Sequence, residues 1–361
     1  VSKVAIITDI HFGARRHSPH FVHMMEEFFE KTFFPYLEEH GIDTVIDGGD
    51  TFDNRTLTNL YVFNKAKSSF FDVLKERGLR LYKIVGNHEC YFENTNRLNS
   101  PVEFLSQYDN IMLFDSPGYV ELYGKRFLML PWINAENEEV SLSHVRESNA
   151  NYVIGHLPLT GFVMQGARVC ENGIDPKEFE CYDAVITGHF HKRSRKGNIH
   201  YIGNPFWLKW DEYGDPRGFA VLDTETDIIE YVDNHNQLFH VVTYDDAVDI
   251  DSFDYEKYTD KIVKIDVVSK GSETRFEEFV ERMKAANPYS ITNEFRSIVR
   301  DKKITDEVSD DEVLEESAET QVVKDTYYHI MKSIDESAEI DGKDEIKALM
   351  TEIYNLSHDS L

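Results

Sequence analysis

Five short stretches set metal-capable side chains directly after apolar runs. They are TDIHFG with Asp9 and His11, GGDTFDNR with Asp50, IVGNHE with Asn87 and His88, IGH with His156, and TGHFH with His189 and His191. Carboxylates, imidazoles and one amide oxygen, with no thiolate set, suit divalent ions such as Mn2+, Fe2+, Zn2+ or Mg2+. Asp9 and His11 stand two apart, as do His189 and His191, so on an extended backbone each pair shares a face. One strand end can then serve two neighbouring ions, and Asp50 is the natural carboxylate to bridge them. Two ions about 4 Å apart position a water and neutralise the charge that builds on a phosphoryl group. Asn87 offers an oxygen without adding charge, which leaves His88 to meet the substrate phosphate or the leaving oxygen. Each stretch alone has a plainer reading, since an aspartate after a strand often forms a turn and an HFH pair can simply face solvent. Five of them, each at the end of an apolar run, point to one site.

The elements that carry these residues follow from the spacing of apolar positions. KVAII at 3–7 is a β-like run ending just before Asp9, DTVIDGGD a second strand stopped by paired glycines, and RLYKIVGNHE a third. Between them the spacing predicts helices over about 18–39 and across LTNLYVFNKAKSSFFDVLKERG, the second closed by Gly78. This alternation predicts a layered α/β domain. After NIMLFDSPG the rhythm turns to strands: YVELYGKRFLMLPWI as two joined at Tyr123–Gly124, then NYVIGH, YDAVITGH and a hairpin in GFAVLDTETDIIEYVDN. In an open α/β sheet, ligands collect beyond the carboxyl ends of strands, where loops converge. Gly48, Gly49, Gly86, Gly155 and Gly188 permit tight turns at those ends.

Residues 1–245 are expected to form the main domain and 246–300 a small accessory unit, in which DKIVKIDVVSKG, ETRFEEFVERMKAA and YSITNEFRSI read β, α, β. Residues 301–312 read as an acidic link, and 313–361 as two apolar-striped helices suited to capturing a partner. With 361 residues, 41% hydrophobic and 29% charged, the chain suits a globular protein with a substantial core. No apolar run approaches the roughly 18 residues of a membrane helix. The amino-terminal VSKVAIITDIHF is short and holds Asp9, so it reads as a buried strand rather than a signal peptide. Cys90, Cys170 and Cys181 form no close pair, which predicts a reducing compartment such as the cytoplasm.

A formal charge of −28 argues against a nucleic-acid binder until its distribution is considered. Residues 301–361 hold 6 Lys against 18 Asp or Glu, whereas Arg15, Arg16, Arg55, Lys192, Arg193, Arg195 and Lys196 sit near the candidate chemistry. Such cations can hold a phosphate backbone without reading bases. Phe12, Phe52, Phe190 and Phe206 are candidates for stacking on a terminal base or, more simply, for core packing. The remaining histidines, His200 among them, lack the strand-end context and read as surface or local hydrogen-bonding residues.

Through DIH, GGD, GNHE, GH and GHFH, in that order from Val4 to about Gly203, the chain resembles the calcineurin-like metallophosphoesterases. The longer forms DIHFG, GDTFDNR, IVGNHE and TGHFHKR, followed by YIGNP, resemble more narrowly the SbcD-type nuclease subunits of DNA double-strand-break repair complexes, phage recombination endonucleases included. The resemblance implies an α/β fold: a layered metallophosphoesterase β-sandwich flanked by helices, with a small α/β accessory domain that supports DNA binding, and C-terminal helices. It assigns Asp9, His11, Asp50 and His191 to one metal, Asp50, Asn87, His156 and His189 to the other, and the catalytic histidine role to His88. It implies Mn2+ as the favoured ion, 3′-to-5′ exonuclease and single-strand endonuclease activity on DNA, and metal-activated water attacking a phosphodiester to leave a 5′-nucleotide. It further implies a homodimer through the nuclease domain and an SMC-like coiled-coil ATPase partner of the SbcC type, gripped by the terminal helices. A bacterial or phage-infected cytoplasm is the implied location.

One position departs from the pattern. Many relatives have a histidine three residues after the bridging aspartate, where this chain has Asp53, an anion that cannot donate to phosphate but can orient Arg55 or His88. Two other readings use the same residues. A phosphatase or small-molecule phosphodiesterase on this scaffold suits the acidic balance. A structural subunit with a vestigial site does not suit the cost of keeping buried histidines and carboxylates satisfied.

Overall fold

The fold comes from a computed structural model, which describes residues 2–164 and 168–295. Fifteen strands are found among these residues. In chain order they are β1 (Lys3–Ile7), β2 (Thr44–Asp47), β3 (Arg80–Ile84), β4 (Ile111–Phe114), β5 (Gly118–Leu122), β6 (Lys125–Leu130), β7 (Tyr152–His156) and β8 (Ala184–Gly188). There follow β9 (Ser194–Lys196), β10 (Ile199–Tyr201), β11 (Gly218–Asp223), β12 (Ile228–Asp233), β13 (Phe239–Tyr244), β14 (Ile262–Val267) and β15 (Ser290–Phe295). One six-stranded sheet runs β12-β11-β1-β2-β3-β4 and a second runs β5-β6-β7-β8-β10-β9. In the first, β1 to β4 are mutually parallel, and in the second β6, β7, β8 and β10 are. The expected α/β sandwich flanked by helices is the observed architecture.

Alternation along the strands builds the layers. Val4 and Ile6 of β1, Ile46 of β2 and Ile84 of β3 face Phe127, Met129, Ile154 and Ile186 of the other sheet in one buried core. On the outer face of the second sheet, Leu128, Val153 and Val185 pack with Val145 of the helix Glu138–Glu147. The two long helical segments expected from periodicity are present. They run Pro19–Phe28 into Phe34–His40 and Leu60–Ala66 into Asp72–Glu76, each through one wider π turn, Phe29–Phe33 and Lys67–Phe71. A π turn adds a residue to the helical repeat. It thereby lets consecutive apolar residues that a strict 3.6 period would rotate outward remain inside: Phe28, Phe29, Phe33, Phe34, Phe70 and Phe71 are all buried.

The third sheet, in order β13-β14-β15, is parallel and covered by the helix Glu273–Ala285. Val242 and Tyr244 of β13 share a core with Ile265, Phe276 and Phe279. The sheet therefore begins at Phe239, ahead of the boundary expected at 245/246, because β13 finds its hydrogen-bond partner in β14. It belongs with the sandwich to one unit, Val1–Ser297. The acidic link at 301–312 and the helices at 313–361 lie outside the described residues. Cys90, Cys170 and Cys181 are free thiols. Among the described residues, no helix is long and apolar enough to cross a membrane.

Candidate metal centre

The carboxyl ends of β1, β2 and β3 in one sheet and of β7 and β8 in the other deliver the candidate side chains to one place. Asp9 and His11 follow β1, Asp50 follows β2, Asn87 and His88 follow β3, His156 closes β7, and His189 and His191 follow β8. The loops are laced together by backbone: Asp9 N–H donates to Gly49 O at 2.9 Å and His11 N–H to Asp50 O at 3.0 Å. Asn87 Oδ1 lies 2.9 Å from both His156 Nε2 and His189 Nδ1. Asp50 Oδ2 is 3.2 Å from His156 Nε2 and 4.0 Å from His11 Nε2, so it stands between two groups of ligands. His11 Nε2 faces His191 Nε2 at 3.0 Å, and each lies about as far from Asp9 Oδ1, at 3.9 and 4.0 Å.

This donor set fits divalent cations. Two imidazole nitrogens 3.0 Å apart need either a single proton or a cation between them. Asp9 and Asp50 are buried, and the charges that act on Asp50 are imidazoles. Burial favours a neutral Asp50 carboxyl, but His156, His88 and His11 hold it well below the usual carboxylate range. Burial likewise opposes a charged His156, yet Asp50 raises it to about 9. A metal ion arriving here must displace that proton. Burial and then the charge of His156 push His189 down to about 3, leaving its ring a neutral donor. Among the described residues, three groups each bring candidate ligand atoms within 4.8 Å of one another: Asp9, His11 and His191; Asp9, Asp50 and His156; and His11, Asp53 and His88.

The calcineurin-like phosphoesterase family model matches residues 2–193. This chain belongs to that family. It is 32% identical over 255 residues to exonuclease subunit 1 of Enterobacteria phage T4, covering 70% of this chain and 74% of that protein. It is 24% identical to a putative phosphoesterase of Invertebrate iridescent virus 3 over 56% of each chain. A solved dimetal phosphatase from Danio rerio aligns weakly, at 13% identity and a TM-score of 0.38 over 61% of this chain and 92% of its own. The family uses divalent metals on phosphoesters, and the site's chemistry agrees with that.

Around the ligand groups of this phosphoesterase lies a layer that motif reading did not reach. His88 Nδ1 donates to the carbonyl of Asp53 at 2.7 Å. The Asp53 carboxylate lies 3.1 Å from His11 Nδ1, though not aligned as a hydrogen bond. Asp53 therefore touches His88 through its backbone and faces His11 with its side chain, while Arg55 pairs with Glu93 at 3.4 Å. His191 Nδ1 meets Glu212 Oε1 at 3.3 Å. Glu212 is in turn flanked by the buried Arg217, whose guanidinium also donates to the His191 carbonyl. Glu212 and Arg217 sit in WDEYGDPR, a polar stretch with no strand ending directly before it, so only the folded loop brings them to His191. Glu89 lies within IVGNHE, and its carboxylate accepts the backbone N–H groups of Gly86, Asp50 and Thr51.

The candidate substrate-contacting cations divide. Arg193 is committed to Asp233 at 2.6 Å and stacks on Tyr231, and Lys196 reaches the carbonyl of Gly161 over the Phe162 ring. Lys192 is paired with Asp215 at 3.5 Å beside a pocket of about 200 Å³ that opens at His189 and His191. Arg195 lies on the edge strand β9, exposed. Arg15 and Arg16 occupy a left-handed turn that begins after Ala14. Phe12, Phe52, Phe190 and Phe206 are buried, so core packing accounts for them.

Proposed function

We propose that this chain is a two-ion DNA phosphodiesterase, the nuclease subunit of an SbcCD-like repair or recombination complex. The observation that carries the reading is the meeting of ligands from both sheets, with Asn87 Oδ1 at 2.9 Å from His156 and His189, and His11 at 3.0 Å from His191. The likeness to a phage exonuclease subunit supports DNA as the substrate. In this reading Asp9, His11, Asp50 and His191 hold one ion, and Asp50, Asn87, His156 and His189 the other, with Mn2+ the favoured metal. Bound there, the ions supply charge neutralisation at the phosphate and a water of lowered pKa.

The chain's own residues do the rest. A carbonyl only accepts, so His88 Nδ1 carries the proton it gives to Asp53 O, and Nε2 is the atom left for substrate. A proton on Nε2 can be donated to the phosphate or to the departing nucleoside 3′-oxygen, releasing a 5′-nucleotide. Arg15, Arg16, Arg55, Lys192 and Arg195 are the proposed backbone contacts, with Arg193 and Lys196 shaping the loop that bears them. Exonucleolytic degradation from the 3′ end, single-strand cutting, a homodimer, and an SMC-like ATPase held by residues 313–361 complete the proposal, in the cytoplasm of a bacterium or phage-infected host.

The test is cleavage of end-labelled single- and double-stranded DNA in Mn2+ against a small generic phosphodiester. DNA is expected to be strongly preferred, with Asp50→Asn inactive and His88→Gln slower by about a hundredfold or more while still binding metal. Equal turnover of the small diester would favour a small-molecule phosphodiesterase, and undiminished cleavage by Asp50→Asn would remove the two-ion mechanism.

A further inference from the structure

We infer that Asp53 acts as a charge filter beside His88: its carboxylate biases the site against doubly charged phosphomonoesters, the 5′-nucleotide product included, relative to singly charged phosphodiesters. The inference rests on the two-ion phosphodiesterase reading above, in which His88 meets the phosphate.

Asp53 differs from the interior carboxylates by its position. Its side chain is 33% exposed, whereas Asp9 and Asp50 are buried. Its backbone carbonyl accepts the Nδ1 proton of His88 at 2.7 Å, which leaves Nε2 of that ring for substrate. The carboxylate lies 3.1 Å from His11 Nδ1, out of line for a hydrogen bond. The rings of His11 and His88 meet edge to face, with centroids 4.9 Å apart. A carboxylate oxygen of Asp53 and one nitrogen from each ring lie within 4.8 Å of one another. Arg55, two residues on, turns to Glu93 at 3.4 Å. An anion thus stands at the partly open side of the site, next to the ring that is to receive the phosphate.

A phosphate oxygen bonded to His88 brings the phosphorus within about 8 Å of that carboxylate. Each further negative charge on the phosphate then lowers its affinity by between about twofold and thirtyfold, from full screening in water to the stronger field near a protein surface. A DNA phosphodiester carries one such charge. Attack by water forms a new phosphorus–oxygen bond and breaks the bond to the nucleoside 3′-oxygen, which takes up a proton. The 5′-phosphate left behind loses its second proton near pH 6, so at neutral pH it carries almost two charges. Asp53 therefore repels the product more than the substrate. It helps to empty the site after each cleavage and keeps phosphomonoesters from filling it.

Calorimetric binding of thymidine 5′-monophosphate and of its methyl ester to the full chain in Mn2+ tests this, at neutral pH and low ionic strength. The two ligands differ by one charge and little else. Asp53→Asn should raise the affinity for the monophosphate relative to the ester by about threefold or more over the parent, and Asp53→Glu should keep the parent ratio. Asp53→Ser gives the same comparison if the asparagine variant folds poorly. A residue that only braced His11 would change both affinities alike. A ratio that moves by less than about threefold in the neutral variants, or moves as far in Asp53→Glu, would overturn the filter and leave the two-ion reading standing. If neither ligand bound more tightly in Mn2+ than in EDTA, the two-ion reading would fail and the inference with it.

Discussion

Four of the side chains at the centre stand on backbone that non-glycine residues usually avoid: φ is 52° at Asp9, 54° at His11, 55° at Asp50 and 86° at His189. Each costs about 1 kcal/mol or more, and such residues persist only where their surroundings overdetermine them. The laced loops do so, and they leave no room for change. At Gly188 an added Cβ would run into Thr8 Oγ1 and lie 2.7 Å from Asp9 Oδ2 and 3.1 Å from His156 Nδ1. Gly188→Ala must therefore push the Asp9 carboxylate aside or open the end of β8. We expect this variant to fold, with an unchanged far-ultraviolet circular dichroism spectrum, but to lose metal affinity by about tenfold or more, measured by calorimetry. Unaltered affinity would remove Asp9 from the ligand set. The eight candidate residues were legible because each sits within a few positions of a strand's end. Glu212 and Arg217 were not, since a carboxylate becomes a histidine's partner only when two distant loops meet.

At the scale of elements, the loops after β2 and β3 are held by a buried cation. Lys83, on β3, is fully buried with Nζ 2.8 Å from Glu89 Oε1, 3.1 Å from Asp47 Oδ2 and 2.6 Å from Thr51 Oγ1. Glu89 fastens the backbone of Gly86, Asp50 and Thr51, so this one ammonium steadies the turns carrying Asp50 and Asn87. Lys83→Met would leave two carboxylates in the interior without a cation. We expect a loss of about 3–5 kcal/mol in urea unfolding of the metal-free protein. A loss below about 1 kcal/mol would show that the lysine is dispensable there. A second element-level test concerns β10, where His200 is buried, donates to or accepts from Tyr231 Oη at 2.9 Å, and is pushed down to about 4 by burial and then by Arg195. Below pH 6.5 the unfolded chain takes up a proton that folded His200 refuses. Its contribution is thus complete above pH 6.5 and is lost as the pH falls toward 4. His200→Gln should flatten that part of the stability profile relative to the parent, and parallel profiles would contradict the shift. Most of the strands and the long helices could be read from apolar spacing, but RLYKI read as an ordinary strand gives no sign that its lysine points inward. Nor does FHVVTY announce which sheet will take it, because sheet membership depends on pairing with residues more than twenty positions away.

For the whole molecule, the division of the candidate ligands matters most. Asp9, His11, Asp50 and Asn87 issue from the sheet built on β1, β2 and β3, and His156, His189 and His191 from the sheet that holds β7 and β8. Between them the sandwich is closed by an apolar core, through residues such as Ile6, Ile84, Phe127 and Ile154, with polar ties such as His200 to Tyr231 and Arg193 to Asp233. An ion held from both sides would join the sheets at their open carboxyl ends, where the Asp9 and Asp50 carboxylates are buried together. Metal binding should then stabilise global folding rather than a single loop. Mass action gives about 2.7 kcal/mol for each ion held at a hundred times its dissociation constant. For a unit of this size, with an unfolding entropy of about 2 cal/mol/K per residue, that corresponds to a rise of about 4 °C in Tm per ion. Calorimetric scans of the chain in EDTA and in rising Mn2+ should show one cooperative transition moving upward, with the shift abolished in Asp50→Asn. If the transition split, with only part of the molecule responding, the ions would be serving one sheet's loops and not the closure of the sandwich. If chelation moved nothing at all, the ligands gathered here would not be holding metal.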